Sequence, residues 1–172
     1  LRDVYKRQQL RCLRHFALDV APQSGPRAST YETAAVWQLA LAFKKDMPAL
    51  QSLHLRGVSD VDRVLPYLTV CTELRALLIE PVDLFDAEHR GSQCPSRAAL
   101  SSLLSANALL SVRLFFLPIA AQREWWCAYF STDQPERAAQ EHMDDKLRQY
   151  VGMEPRVTVQ IGVRSSFASD FD

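Results

Sequence analysis

The chain has 172 residues, and its 20 basic side chains balance its 20 acidic ones. That length allows one domain with a real core, and a neutral chain with scattered basic residues carries no footprint for nucleic acid. Its longest apolar run, Leu109 to Ala121, holds Arg113 and Pro118 and falls short of the roughly twenty residues a membrane span needs. The four cysteines, Cys12, Cys71, Cys94 and Cys127, form no C-x-x-C pair. Zinc spacing is therefore absent, and reduced thiols in a cytoplasmic or nuclear protein are expected.

Taken in chain order, residues 3–8 read DVYKRQ, which resembles the translation of a transposon-end sequencing adapter. Residues 1–8 are accordingly expected to be non-native and are set aside. One repeat domain is expected over 9–163, truncated at its N-terminal side, with 164–172 as a flexible polar tail.

Within 9–163 a spaced apolar frame recurs. An apolar residue is followed by leucine three on, an apolar residue three further, and a last one two beyond. Leu10, Leu13, Phe16 and Leu18 fit it, as do Met47, Leu50, Leu53, Leu55, then Cys71, Leu74, Leu77, Ile79, then Ala106, Leu109, Val112, Leu114. A strained fifth copy is Val151, Glu154, Val157, Val159, in which Glu154 breaks the frame. The alternation closing each copy predicts a short strand with one face buried. Strands are expected at 50–55, 74–80, 109–117 and 157–163, besides one near 16–18.

Helical sequence lies between the copies. Thr30 suits a cap for a helix to about Lys45, with Val36, Leu39, Ala40 and Phe43 inward. Ser59 or Asp60 suits a cap for a second, short because Pro66 lies inside it, burying Val61, Val64, Leu65 and Leu68. Residues 81–95 read as an insertion loop. Ser96 caps a helix with Leu100, Leu103 and Leu104 inward, and a Trp-rich helical segment covers about 119–130. A last helix starts at Asp133 to Glu136, where Pro135 suits the first turn, and stops at Gly152. Strand and helix alternating in this way predict an α/β protein with parallel strands, stacked repeat upon repeat into an open solenoid.

The segments LRCLRHFAL (10–18), MPALQSLHL (47–55) and CTELRALLI (71–79) resemble the leucine-rich repeats of F-box proteins, particularly the irregular fungal type. Val58 and Val82 stand where that family usually has asparagine after the strand. Together with the uneven spacing of the copies, this suits the longer, helix-backed form resembling ribonuclease inhibitor, a horseshoe with helices on the convex side. The resemblance implies a protein-interaction module, the substrate-recognition repeats of a ubiquitin-ligase receptor. Its partner would be a protein or peptide, and the ligase adaptor would be reached only through an F-box missing upstream.

On such strands the residues flanking the central apolar one face away from the core, and Asp19, Arg56, Glu80 and Phe115 lie just past the last inward position. His15, Asp19, Ser52, His54, Arg56, Leu78, Glu80, Ser111, Arg113 and Phe115, with Ala17 and Ala76 among them, are therefore the expected concave, partner-binding surface. Its mixed charge with an exposed leucine and phenylalanine suits a protein better than a phosphate. His142 and Asp145 share a helix face without a third ligand, and His89 with Cys94 is too few for a metal. Trp125 and Trp126 point about a hundred degrees apart on a helix, which favours packing over a stacking platform. No G-x-S-x-G, P-loop or G-x-G-x-x-G string is present. No catalytic residue, cofactor or metal is assigned. A generic repeat scaffold without a ubiquitin link and a small α/β enzyme are the alternatives.

Overall fold

The computed structural model describes residues 12–19, 47–58, 60–81, 93–118, 120 and 133–162. The adapter-like start, the helix expected at 30–45, the Trp-rich segment and the tail lie outside them, as does most of the 81–95 loop. In chain order come β1 (His15–Asp19), β2 (Ser52–Arg56), α1 (Val61–Leu68), β3 (Ala76–Glu80), α2 (Arg97–Ala106), β4 (Ser111–Phe116), α3 (Pro135–Arg148) and β5 (Val157–Ile161). The strands form one sheet in the order β1-β2-β3-β4-β5. Every neighbouring pair is parallel.

Register lines the frame up across the sheet. Phe16 lies beside Leu53, Leu53 beside Leu77, Leu77 beside Val112 and Val112 beside Val157. The next inward row runs Leu18, Leu55, Ile79, Leu114, Val159. Leu53, Leu55, Leu77, Ile79, Val112 and Leu114 share one apolar core with Val61, Val64, Leu65 and Leu68 of α1, Leu100, Leu103 and Leu104 of α2, and Ala139 and Met143 of α3. These three helices therefore cover the same face of the sheet. At the β1 edge Leu13, Phe16 and Leu18 are only half-buried, because no further described strand flanks them.

A tight turn precedes four of the strands. The N–H of Leu50 donates to Met47 O, that of Leu74 to Cys71 O, that of Leu110 to Asn107 O and that of Met153 to Tyr150 O. The frame is thereby corrected in its last two copies. Leu109 is 68% exposed, whereas Leu110 and Asn107 are buried, so the fourth copy starts at Asn107 rather than Ala106. The fifth starts at buried Tyr150, with half-buried Met153 second, while Val151, Glu154 and Val159 are exposed. Tyrosine holds the first place as well as an apolar residue does because its hydroxyl is hydrogen-bonded there, whereas the buried Asn107 side-chain nitrogen has no hydrogen-bond partner among the described residues. Tyr150 donates its hydroxyl to Pro95 O at 2.7 Å, and Asn107 closes α2 by donating its N–H to Leu103 O.

The helix ends follow the sequence with one exception. Ser96 accepts from Ala99 N–H at 3.2 Å as the cap of α2, and Pro135 occupies the first turn of α3. The chain leaves α3 through Gly152, whose φ of 72° suits a residue without Cβ. Asp60, at the start of α1, makes no side-chain cap bond. Its backbone is left-handed, with φ 52°, a conformation aspartate tolerates, and its carboxylate turns to Arg63 instead. The next acid does the joining, as Asp62 Oδ1 accepts the N–H of Ser96 at 2.7 Å and ties α1 to the start of α2.

Candidate functional site

The second face of the sheet, opposite the three helices, is where the sequence places a partner surface. The alternation does send the expected residues there, since they occupy the positions between the core-facing ones. Their exposure differs from the expectation. His15, Ala17 and Asp19 on β1 are exposed, as are Ser111 and Arg113 on β4, and Arg56 and Ala76 are half-buried. Ser52, His54, Leu78, Glu80 and Phe115 are buried. Leu78 and Phe115 are thus not exposed apolar contacts, and they stand apart from the helix-side core. The middle of this face is enclosed, as central strands of a parallel sheet commonly are, and its two flanks are open.

At the enclosed centre sits a charged network. Glu80 Oε2 lies 3.3 Å from His54 Nε2, and Glu80 Oε1 lies 3.2 Å from Arg56 Nε. Arg56 also donates to Asp19 Oδ2 at 3.1 Å. His54 is 1% exposed and Glu80 3%. The register makes this possible, because Asp19, Arg56 and Glu80 are direct neighbours across β1, β2 and β3. Beside it Ser52 Oγ and His15 Nδ1 are 2.7 Å apart, again register neighbours.

A buried carboxylate shared by an imidazole and a guanidinium satisfies the demand that enclosed charge be paired. It also fixes the lateral alignment of three strands. A hydroxyl hydrogen-bonded to an imidazole is the start of a nucleophile and base pair. Here the Ser52 side chain is enclosed, so no substrate reaches it without opening of the face. Among the described residues of this face, the fully exposed side chains lie on the flanks.

Sequence reasoning did not assign three further positions. Thr158 and Gln160 on β5 continue the open flank beside Arg113 and Phe115, and the alternation of β5 held the signal for them. Arg156 was not singled out at all. Its Nη1 donates to the carbonyls of Leu104, Asn107 and Ala108 at 3.2, 2.9 and 3.0 Å, which places a cation on the carboxyl end of α2, the favourable end of the helix dipole. Its Nε donates to Glu154 at 2.9 Å, so the glutamate that breaks the apolar frame orients this clamp.

Near the start of α2, burial pushes the Cys94 thiol up to about 12, opposed by Lys146 and reinforced by Asp62. Burial likewise raises Cys71 to about 11, and it raises the Tyr150 hydroxyl, with Cys94 and Asp62 adding to the effect. These groups stay protonated and belong to the core. Among the described residues no group of three His, Cys, Asp or Glu is placed to hold a metal. None of the described helices is long and apolar enough to cross a membrane. No protein-family model, curated protein or solved structure matches the chain.

Proposed function

We propose that the chain is a protein-interaction module of the leucine-rich-repeat kind, an open solenoid that binds a protein or peptide through the uncovered flanks of its second sheet face. The observation that carries this reading is the strand order. Among the described residues five parallel strands follow one another across the sheet in sequence order, and four of the five are entered through the same turn. That is how a stack of repeats is assembled. A doubly wound enzyme reverses its strand order and binds its ligand at the reversal, and an order of this kind has no such point.

The exposed flank of β4 and β5 offers Ser111, Arg113, Thr158 and Gln160, a polar, weakly charged strip suited to a peptide or protein rim. The test is capture of binding proteins from the source cells on the immobilised chain. Ser111→Arg with Arg113→Glu should lose a specific set of captured proteins that Glu141→Lys, on exposed α3, retains. Equal capture by both variants would overturn the flank as the binding surface.

The role as substrate receptor of a ubiquitin ligase rests on the likeness to F-box repeats. It requires an F-box encoded upstream of Gln9. Sequencing the transcript across that side decides between receptor and generic scaffold.

A further inference from the structure

The two edges of the sheet are chemically unlike. β1 carries Asp19, held by Arg56. β5 reads VTVQI and carries no charge. Val159 is 41% and Ile161 51% exposed, although their row neighbours Leu114 and Phe116 are fully buried. Natural edge strands are usually guarded by a charge, a proline or a bulge within the strand. Here Pro155 and Arg156 stand before β5, and Arg156 is committed to the α2 carbonyls.

The backbone of β5 tells which groups face outward. Arg156 O accepts from Val112 N–H, and Gly162 N–H donates to Phe116 O. Alternation along a parallel ladder then directs the N–H and C=O of Thr158 and Gln160 to β4 as well. Those of Val159 and Ile161 point away from the sheet, as does the C=O of Val157. The N–H of Val157 is already taken by Glu154 O at 2.9 Å. Among the described residues no strand pairs with this edge.

We propose that β5 pairs antiparallel with β5 of a second copy about a two-fold axis through Val159. The pattern is self-complementary about that residue. Val157 falls opposite Ile161 and Thr158 opposite Gln160, so apolar meets apolar on the helix side and polar meets polar on the other. The Val159 N–H donates to the Val159 carbonyl of the second copy, and the Ile161 N–H donates to its Val157 carbonyl, each bond being repeated by symmetry. Every outward N–H of the strand is thereby used. Arg156 falls opposite Gly162, which has no side chain, and the two copies of Arg156 lie at opposite ends of the pairing, so no like charges meet. A two-fold axis closes the assembly at two chains, whereas head-to-tail pairing of the same edge with another surface would propagate. The contact is short, so the affinity belongs to the weak class. This inference stands apart from the partner-binding flank and is read by mass rather than by capture.

The test is sedimentation equilibrium of the whole chain across a concentration series, with amide hydrogen exchange read at Val159 and Ile161. The expected result is a reversible monomer–dimer equilibrium in which both amides gain protection as the dimer forms. Val159→Lys places two cations against each other at the axis and should raise the dissociation constant about tenfold or more. Val151→Lys removes another exposed apolar side chain, 71% exposed and off the strand, and should leave the equilibrium unchanged. A monomer at every concentration overturns the proposal. So does a dimer that survives Val159→Lys with both amides unprotected, or association that continues beyond two chains. Circular dichroism of Val159→Lys confirms that loss of the dimer is not loss of the fold.

Discussion

The two faces of this sheet are buried by different means. On the helix side, rows of leucine, isoleucine and valine meet the apolar faces of three helices, and each side chain is replaceable by another of similar volume. On the opposite side, the centre is enclosed around Glu80, His54 and Arg56, where each polar group sits against a particular partner. The first kind of burial repeats along the chain and tolerates drift, as Asn107 and Tyr150 demonstrate. Among the described residues the second lies where β1, β2 and β3 are side by side. The helix side thus has many contributors of similar weight, and the opposite side has one dominant carboxylate.

The sharpest way to break the comparison is Glu80→Ala. Removing the shared carboxylate leaves His54 enclosed without that partner and Arg56 without its inner one. The expected loss is about 3 kcal/mol, the upper end of the cost of depriving an enclosed polar group of its partner, because the part-exposed Arg56 still holds Asp19. Urea denaturation measures it, and a loss under about 1 kcal/mol would show that this face is solvated in solution. On the helix side, Leu53→Ala and Leu77→Ala should each cost about 2–5 kcal/mol. Both side chains are enclosed in the central row of the core. Similar losses at the two leucines, with the smaller Ile79→Val change costing about 1 kcal/mol, would confirm distributed packing.

High pH acts on the helix side through its thiols. Burial raises Cys71 to about 11 and Cys94 to about 12, from an ordinary value of 9.0. The unfolded chain gives up these protons first. The stabilisation they represent is intact below pH 9 and is lost as pH rises through the folded values. Each group steepens the fall by at most about 1.4 kcal/mol per pH unit. Thermal unfolding between pH 8 and pH 11 should show it, and Cys94→Ala should flatten the slope. An unchanged slope in that variant would place Cys94 in contact with water.

The difference between the faces also decides how much the sequence disclosed. The frame at Met47 and Cys71 was legible because spacing and apolarity coincide there, and parity then assigns every strand residue to a face. The fourth and fifth copies shifted by one because the turn, not the side-chain type, fixes where a copy starts. Leu110 to Val112 is one residue shorter, and Met153 to Val157 one longer, than the interval from Leu74 to Leu77. The enclosure of Leu78, Phe115 and Glu80 was not legible at all. Alternation says which way a side chain points, but not whether another part of the chain lies over it. Nor does spacing pair Asp19 with Arg56 and Glu80, residues brought together only by register. The Arg156 clamp was hidden for the same reason, since its carbonyl acceptors at Leu104, Asn107 and Ala108 lie about fifty residues earlier in the chain.

Asp19 provides the gentlest probe, because it binds the same guanidinium as Glu80 from the opposite, solvent-facing side. The Asp19 and Arg56 side chains are 43% and 31% exposed, so water solvates either charge when the other is removed. Asp19→Ala should therefore cost only about 0–1 kcal/mol, and salt near 1 M should abolish even that difference. Glu80→Ala should keep most of its cost at the same salt, because an enclosed pair is screened far less. The contrast isolates burial from charge, since both variants delete a carboxylate within reach of Arg56. A loss above about 2 kcal/mol for Asp19→Ala, persisting in salt, would mean that the β1 edge is covered in solution. The enclosed region would then extend across all three strands of the network, and the open flank of this face would be that of β4 and β5 alone.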